Sequence, residues 1–170
     1  FLSVVRSGAI GAEFQPTMVD LANFCGQLVA EMQLTSQHHE IRFNITTECG
    51  LVMIDEGLIR QALGNLLQNA IKYSPKGGLV NLDLTCTDEK VIIRVRDWGI
   101  GIPQKDQSRL FEVFHRAENV GAISGTGLGM TIVKQAVEAH NGSITFESQV
   151  GEGSTFVIEL PVDPTRNSRR

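Results

Sequence analysis

Asp97-Trp98-Gly99-Ile100-Gly101, followed about two dozen residues later by Gly125-Thr126-Gly127-Leu128-Gly129, is the stretch on which the reading of this chain turns. Each glycine cluster frees the backbone for positive φ and lets it approach a ligand closely. Glycine-rich turns that lead into a helix commonly present backbone N–H groups to phosphate. Two such turns, flanking a segment without clean periodicity, suggest a lid over a nucleotide. The commoner phosphate motifs are absent. No Gly-Lys pair exists for a Walker loop. Met130 stands where a dinucleotide fingerprint would need its third glycine after Gly125 and Gly127. One glycine cluster alone reads equally well as an ordinary loop. The pair, with Asp97 fixed just before the first, is a stronger signal.

Composition sets the frame around this stretch. The 170 residues, 42% apolar and 20% charged, fit one soluble α/β domain with room for a core. A net charge of −4 argues against a nucleic-acid-binding surface. Cys25, Cys49 and Cys86 are odd in number and widely spaced. They suggest neither a metal pair nor a disulfide framework, which points to a reducing, cytoplasmic compartment. No apolar run approaches transmembrane length and no signal peptide is visible, so no membrane contact is expected of this fragment. The chain opens on Phe1 rather than Met and is expected to be a piece of something longer.

Hydrophobic periodicity places the elements. A helix is expected over 19–37, with Leu21, Phe24, Cys25, Leu28 and Met32 on its apolar face. Ile41, Phe43 and Ile45 alternate as a strand, and Leu51 to Ile54 is a shorter one. Asp55 caps a long helix that Pro75 and Gly77-Gly78 stop. Strands follow over 79–87 and 91–95, then the lid segment, then a helix over 127–140 ended by Asn141-Gly142. Two last strands, 143–147 and 155–160, flank a hairpin with Gly151 and Gly153. The polar tail after Pro161 is expected to be loose. Such a mixture predicts a two-layer α/β sandwich.

The long helix carries a second constellation. Leu58, Ile59, Ala62, Leu63, Leu66, Leu67, Ala70 and Ile71 form its core face. Asn65, Asn69, Lys72 and Tyr73 fall within an arc of about 100° beside that stripe. An isolated pattern of this kind is more often plain surface. The chemistry nevertheless suits a site. An amide oxygen is a hard ligand for Mg²⁺, Lys72 is a point charge for phosphate, and Tyr73 offers a ring to a base.

Taken together, these residues resemble the ATP-binding catalytic domain of sensor histidine kinases, in the superfamily that includes DNA gyrase, the mismatch-repair ATPases and a heat-shock chaperone. An N box spans Arg60 to Pro75, and the first glycine box is Asp97-Trp98-Gly99-Ile100-Gly101-Ile102-Pro103. An F box, Leu110-Phe111-Glu112-Val113-Phe114-His115-Arg116, precedes the second glycine box, and Gly153-Ser154-Thr155-Phe156 closes the set. The resemblance covers roughly 12–161. It implies an α+β, two-layer fold of the Bergerat type: a mixed sheet of about five strands, three helices and a mobile ATP lid. Residues 1–11 would be the end of a helical hairpin and its linker, and 162–170 a flexible tail.

The resemblance also implies roles. Asp97 would accept from the adenine amino group, supported by Thr155. Gly99, Gly101 and Ile102 would run close to the base. Asn69 would hold Mg²⁺, Asn65 would order the metal and phosphate end, Lys72 would touch phosphate and Tyr73 would pack on adenine or ribose. Gly125, Thr126, Gly127, Leu128 and Gly129 would offer backbone N–H groups to the phosphates. Arg116 would reach the γ-phosphate, with Lys105 and Arg109 as weaker candidates, while Phe111 and Phe114 anchor the lid. Members that hydrolyse ATP carry a general-base Glu where this chain has Asn65, which takes up no proton at neutral pH. The implied enzyme is therefore a protein histidine kinase. Its acceptor histidine would lie on a missing helical hairpin domain of the same or a partner protomer, and a response-regulator aspartate would receive the group next. A nucleotide-gated interaction module and a serine kinase of the anti-sigma type are the alternatives.

His39-Glu40-Ile41-Arg42 mimics a phosphoacceptor motif but leads into a strand, so it reads as coincidence. His38, His115 and His140 read as surface residues. Residues 104–124 are expected to be the most mobile part without nucleotide.

Overall fold

The structure, a computed structural model, describes residues 13–112, 116–117 and 129–165. Strand β1 (Thr17–Asp20) leads directly into helix α1 (Leu21–Gln33). Asp20 caps this helix by accepting from the Asn23 N–H at 3.1 Å. The sequence predicts a longer helix here and misses β1, a short, mostly exposed strand without alternation. It exists through antiparallel pairing with β3 (Leu51–Ile54). Between them runs β2 (His39–Ile45).

Helix α2 (Glu56–Lys72) starts at Asp55, whose Oδ1 accepts from the Leu58 N–H at 3.1 Å. Glu56 in its first turn and Lys72 in its last complement the helix dipole. The chain continues through β4 (Gly78–Cys86), β5 (Lys90–Asp97), a short helix α3 (Gln104–Gln107), helix α4 (Gly129–Ala139), β6 (Ser143–Gln149) and β7 (Gly153–Pro161). Five strands form one sheet in the order β2-β4-β5-β7-β6. The β2–β4 pair is parallel and the others are antiparallel, giving the mixed sheet expected. Its inner face buries Val80, Leu82, Val91, Ile93, Val95 and Ile158 with apolar residues of α1, α2 and α4. On the alternate positions of β5, Lys90, Arg94 and Arg96 are exposed and Ile92 is half-buried. This is a two-layer α+β sandwich.

One expectation is corrected at the sheet's far end. Cys49 and Cys86 are joined by a disulfide, with Cα atoms 5.0 Å apart. The parallel β2–β4 pairing, continued by the Thr46 N–H to the Leu84 carbonyl at 2.9 Å, brings them together. Sequence spacing does not reveal this neighbourhood, and the cysteines therefore give no ground for a reducing compartment. Cys25 stays free and buried, its thiol pushed up to about 12 by burial. Cys86→Ser is expected to cost about 3–4 kcal/mol under oxidising conditions, the loop-closure value for 37 residues. Urea unfolding with and without dithiothreitol checks this, since reductant should leave the variant unmoved.

Residues 162–165 are less free than expected, and the rest of the expected tail, 166–170, lies outside the described residues. The Val162 N–H donates to the Glu89 carbonyl at 3.0 Å, its own carbonyl accepts from the Met53 N–H at 3.1 Å, and Pro164 is buried. Among the described residues no helix is long and apolar enough to cross a membrane.

His140, expected at the surface, is 1% exposed. It continues the buried stripe of α4 after Met130, Val133 and Val137. Its Nε2 accepts from the Asp55 N–H at 2.9 Å, so its Nδ1–H donates to the Ala136 carbonyl at 2.7 Å. Burial holds its pKa below the ordinary 6.5. The unfolded chain then binds the proton more readily, so this contribution is present above about 6.5 and lost as pH falls below it. The thermal midpoint of the wild type, relative to His140→Gln, should decline on acidification below that value.

Candidate functional site

The inward period of the strands explains the site. On β5 the buried positions Val91, Ile93 and Val95 are followed by Asp97, so the last inward side chain is a carboxylate. Asp97 is 7% exposed. Burial raises its pKa to about 6, against the opposing effect of the Gly99 and Ser154 N–H groups that donate to it. The Gly99 bond is 2.9 Å long.

A cleft of about 370 Å³ opens above this carboxylate, within the range of small-ligand sites. Helix α2 forms one wall with Asn65, Asn69, Lys72 and Tyr73. The first glycine turn supplies Ile100, Gly101 and Ile102, and Arg116 and Gly129 also line the space. Gly101 has a φ of 71°, and a Cβ there would strike the backbone of Gln149. Gly99 lines no part of the cleft, but its lack of a Cβ lets the turn lie against the Tyr73 carbonyl. The Ile102 N–H donates to Ser148 Oγ at 2.8 Å, pinning the end of the turn to β6.

The two asparagines face the start of α4. Asn65 Nδ2 donates to the Gly129 carbonyl at 3.4 Å, and Asn69 Nδ2 donates to Met130 Sδ at 3.4 Å. Each amide spends its nitrogen on α4 and keeps its oxygen, the hard donor, uncommitted to either contact.

Some expected residues are not brought here. Thr155 lies off the cleft, because Ser154 and Phe156 take the inward positions of β7 and line it. Ser154, which pairs across strands with Asp97, is the residue the sequence reading missed. The alternation Ser154, Phe156, Ile158, Leu160 is the signal that could have found it. Arg109 pairs with Glu112 at 2.8 Å, and neither it nor Lys105 lines the cleft. Phe111 packs edge-on against Phe146 with centroids 6.0 Å apart, as an apolar anchor should. Gly125, Thr126, Gly127 and Leu128, with Phe114 and His115, lie outside the described residues. Leu110, Met130 and Ile132 add apolar wall that the sequence could not separate from core. His39 sits buried on β2 with both ring nitrogens hydrogen-bonded, which agrees with setting it aside as an acceptor.

A helix-walled cleft over a buried strand-end carboxylate, bordered by the first glycine turn, fits a nucleotide-binding domain. Residues 54–164 match the family described as histidine kinase-, DNA gyrase B-, and HSP90-like ATPase, and the chain belongs to it. Membership makes this an ATP-binding domain. The chain is 36% identical over 154 residues to sensor histidine kinase WalK of Bacillus subtilis, covering 88% of this chain and 25% of WalK. It is 39% identical over 163 residues to sensor-like histidine kinase SenX3 of Mycolicibacterium smegmatis, covering 93% of this chain and 42% of SenX3. These relatives are thus more than twice as long as this chain. Full-length ShkA in complex with AMPPNP superposes with a TM-score of 0.78 at 28% identity, over 94% of this chain and 33% of ShkA.

Proposed function

We infer that this chain is the catalytic, ATP-binding part of a two-component sensor histidine kinase. It passes the γ-phosphoryl group of Mg-ATP to a histidine on a helical hairpin domain, for relay to a response-regulator aspartate. The cleft carries this reading: one buried acceptor, Asp97, stands at its floor, and amides and cations line its walls. Asp97 takes the adenine amino group, and Tyr73 packs beside the base or ribose. Lys72 and Arg116 meet phosphate oxygens.

The residues fit a magnesium ion. The uncommitted oxygens of Asn69 and Asn65 suit a hard cation that shares its shell with phosphate and water. Phosphate and water oxygens would supply the rest of the shell. The chemistry magnesium would supply there is neutralisation of phosphate charge, with Asn69 and Asn65 as the residues that would hold it. Asn65, lacking a basic atom, leaves water unactivated and the γ-phosphoryl available to a protein nucleophile. In the transfer a histidine nitrogen–phosphorus bond forms, the bond from the γ-phosphorus to the bridging oxygen breaks, ADP leaves, and the imidazole proton passes to water.

Labelled γ-phosphate ATP, this chain and a separately made hairpin domain bearing the acceptor histidine test the reading. Acid-labile label should appear on the hairpin, and only with its histidine present. Acid-stable label on serine, or binding without transfer, would favour the serine kinase or the interaction module instead.

A further inference from the structure

His39, the histidine of the phosphoacceptor mimic, is 9% exposed at the start of β2. Its Nε2 lies 2.8 Å from the Ser74 carbonyl, and its Nδ1 lies 2.6 Å from Ser36 Oγ. A carbonyl only accepts, so Nε2 carries a proton and donates it to Ser74, while Nδ1 shares a hydrogen bond with the Ser36 hydroxyl. Gln33 braces this arrangement from α1. Its Nε2 donates to the His39 carbonyl at 2.8 Å, and its Oε1 accepts from the Ile41 N–H at 2.8 Å. One residue back, the His38 carbonyl accepts from the Gly78 N–H at 2.9 Å. The turn between α1 and β2 therefore lies across the exit of α2.

The other side of that exit is the first glycine turn. The Ile100 N–H donates to the Tyr73 carbonyl at 2.8 Å. A Cβ on Gly99 would strike that carbonyl and come within 2.6 Å of Ser74 Oγ. Ser74 is 4% exposed and its carbonyl also accepts from the Gly77 N–H at 2.9 Å, so His39 is the donor that ties it to another element and no water readily takes its place. The dipeptide Tyr73-Ser74 is thus gripped by His39 on one side and by Gly99-Ile100 on the other. Lys72 and Tyr73 lead into it along the lining of the cleft, and Ile100 and Gly101 line the cleft beside them.

We propose that His39 is a positioning residue for the nucleotide. By holding the Ser74 carbonyl it sets the spacing between the exit of α2 and the first glycine turn, and with it the width of the cleft beside Asp97. This inference rests on the reading of the cleft as the nucleotide site.

The test compares the 170-residue chain with His39→Leu and His39→Gln. The amide nitrogen of Gln reaches the place of Nε2, whereas Leu leaves the Ser74 carbonyl with the Gly77 N–H as its one remaining donor. Three quantities are read: affinity for AMPPNP with magnesium, amide exchange at Ile100 against Ile93 in the sheet core, and thermal midpoint. His39→Leu should weaken AMPPNP about 10-fold and speed exchange at Ile100 about 10-fold, with Ile93 unchanged. His39→Gln should return both to within about 3-fold of wild type. A lowered midpoint with affinity and the Ile100-to-Ile93 ratio unchanged would overturn the proposal, leaving a purely structural histidine. If His39→Leu does not fold, His39→Asn replaces it: the side chain stays polar but is too short to reach Ser74. If the wild type itself fails to bind AMPPNP, the nucleotide reading falls, and Ile100 exchange still decides whether His39 sets the spacing.

Discussion

Asp97→Asn is expected to weaken AMPPNP binding about 100-fold, close to 3 kcal/mol, while leaving the fold intact. The carboxylate has acceptor capacity for the Gly99 N–H, the Ser154 N–H and a third donor. An amide oxygen must serve the backbone donors already present. The remaining arm of Asn is an NH₂ group, which would face the adenine amino group donor against donor. The variant should also lose its preference for ATP over GTP, because the guanine carbonyl can accept from that arm. The wild type adds a pH signature. Burial holds the Asp97 carboxyl at about 6, so binding should be flat at neutral pH and weaken as pH falls below about 6. The stability effect of Asp97 has the opposite sign. Its raised folded pKa makes its contribution complete below the ordinary 3.8 and lost as pH rises through about 6. Competition titrations with ATP and GTP across this range check both points. Undiminished ATP preference in Asp97→Asn would remove Asp97 from base recognition.

The second large effect is expected at Asn69. Asn69→Ala removes an amide whose nitrogen only touches Met130 Sδ in the free protein, a weak contact, so folding should change little. Its oxygen is the donor assigned to magnesium. The variant should therefore bind AMPPNP equally in magnesium and in EDTA, at an affinity about 10- to 100-fold below the magnesium-bound wild type. Asn65→Ala should reduce the magnesium effect without abolishing it. A full magnesium response in Asn69→Ala would refute the metal role.

What the sequence made legible follows physical range. The wall built by Asn65, Asn69, Lys72 and Tyr73 was readable because one helix fixes their arc through a local period. Asp97 was readable because it sits at a strand end beside glycine. Thr155 was misplaced because the closing motif was read by resemblance and not by the phase of the strand, which turns Ser154 inward. His140 was misread although it completes the i, i+3, i+7, i+10 stripe of the helix expected over 127–140; it was read by its residue type and not by that phase. Strand β1 and the Cys49–Cys86 bond were out of reach for a different reason. Both depend on partners distant in sequence, Leu51–Ile54 for β1 and the parallel register of β2 on β4 for the cysteines. The grip of His39 on Ser74 is of this kind too, spanning 35 residues between two ordinary-looking turns.

Calorimetric titration of the chain with AMPPNP, with magnesium and then with EDTA, tests the central claim most directly. Binding at about micromolar affinity that depends on magnesium is the result expected of an intact kinase site. Absence of binding in both conditions would contradict the account.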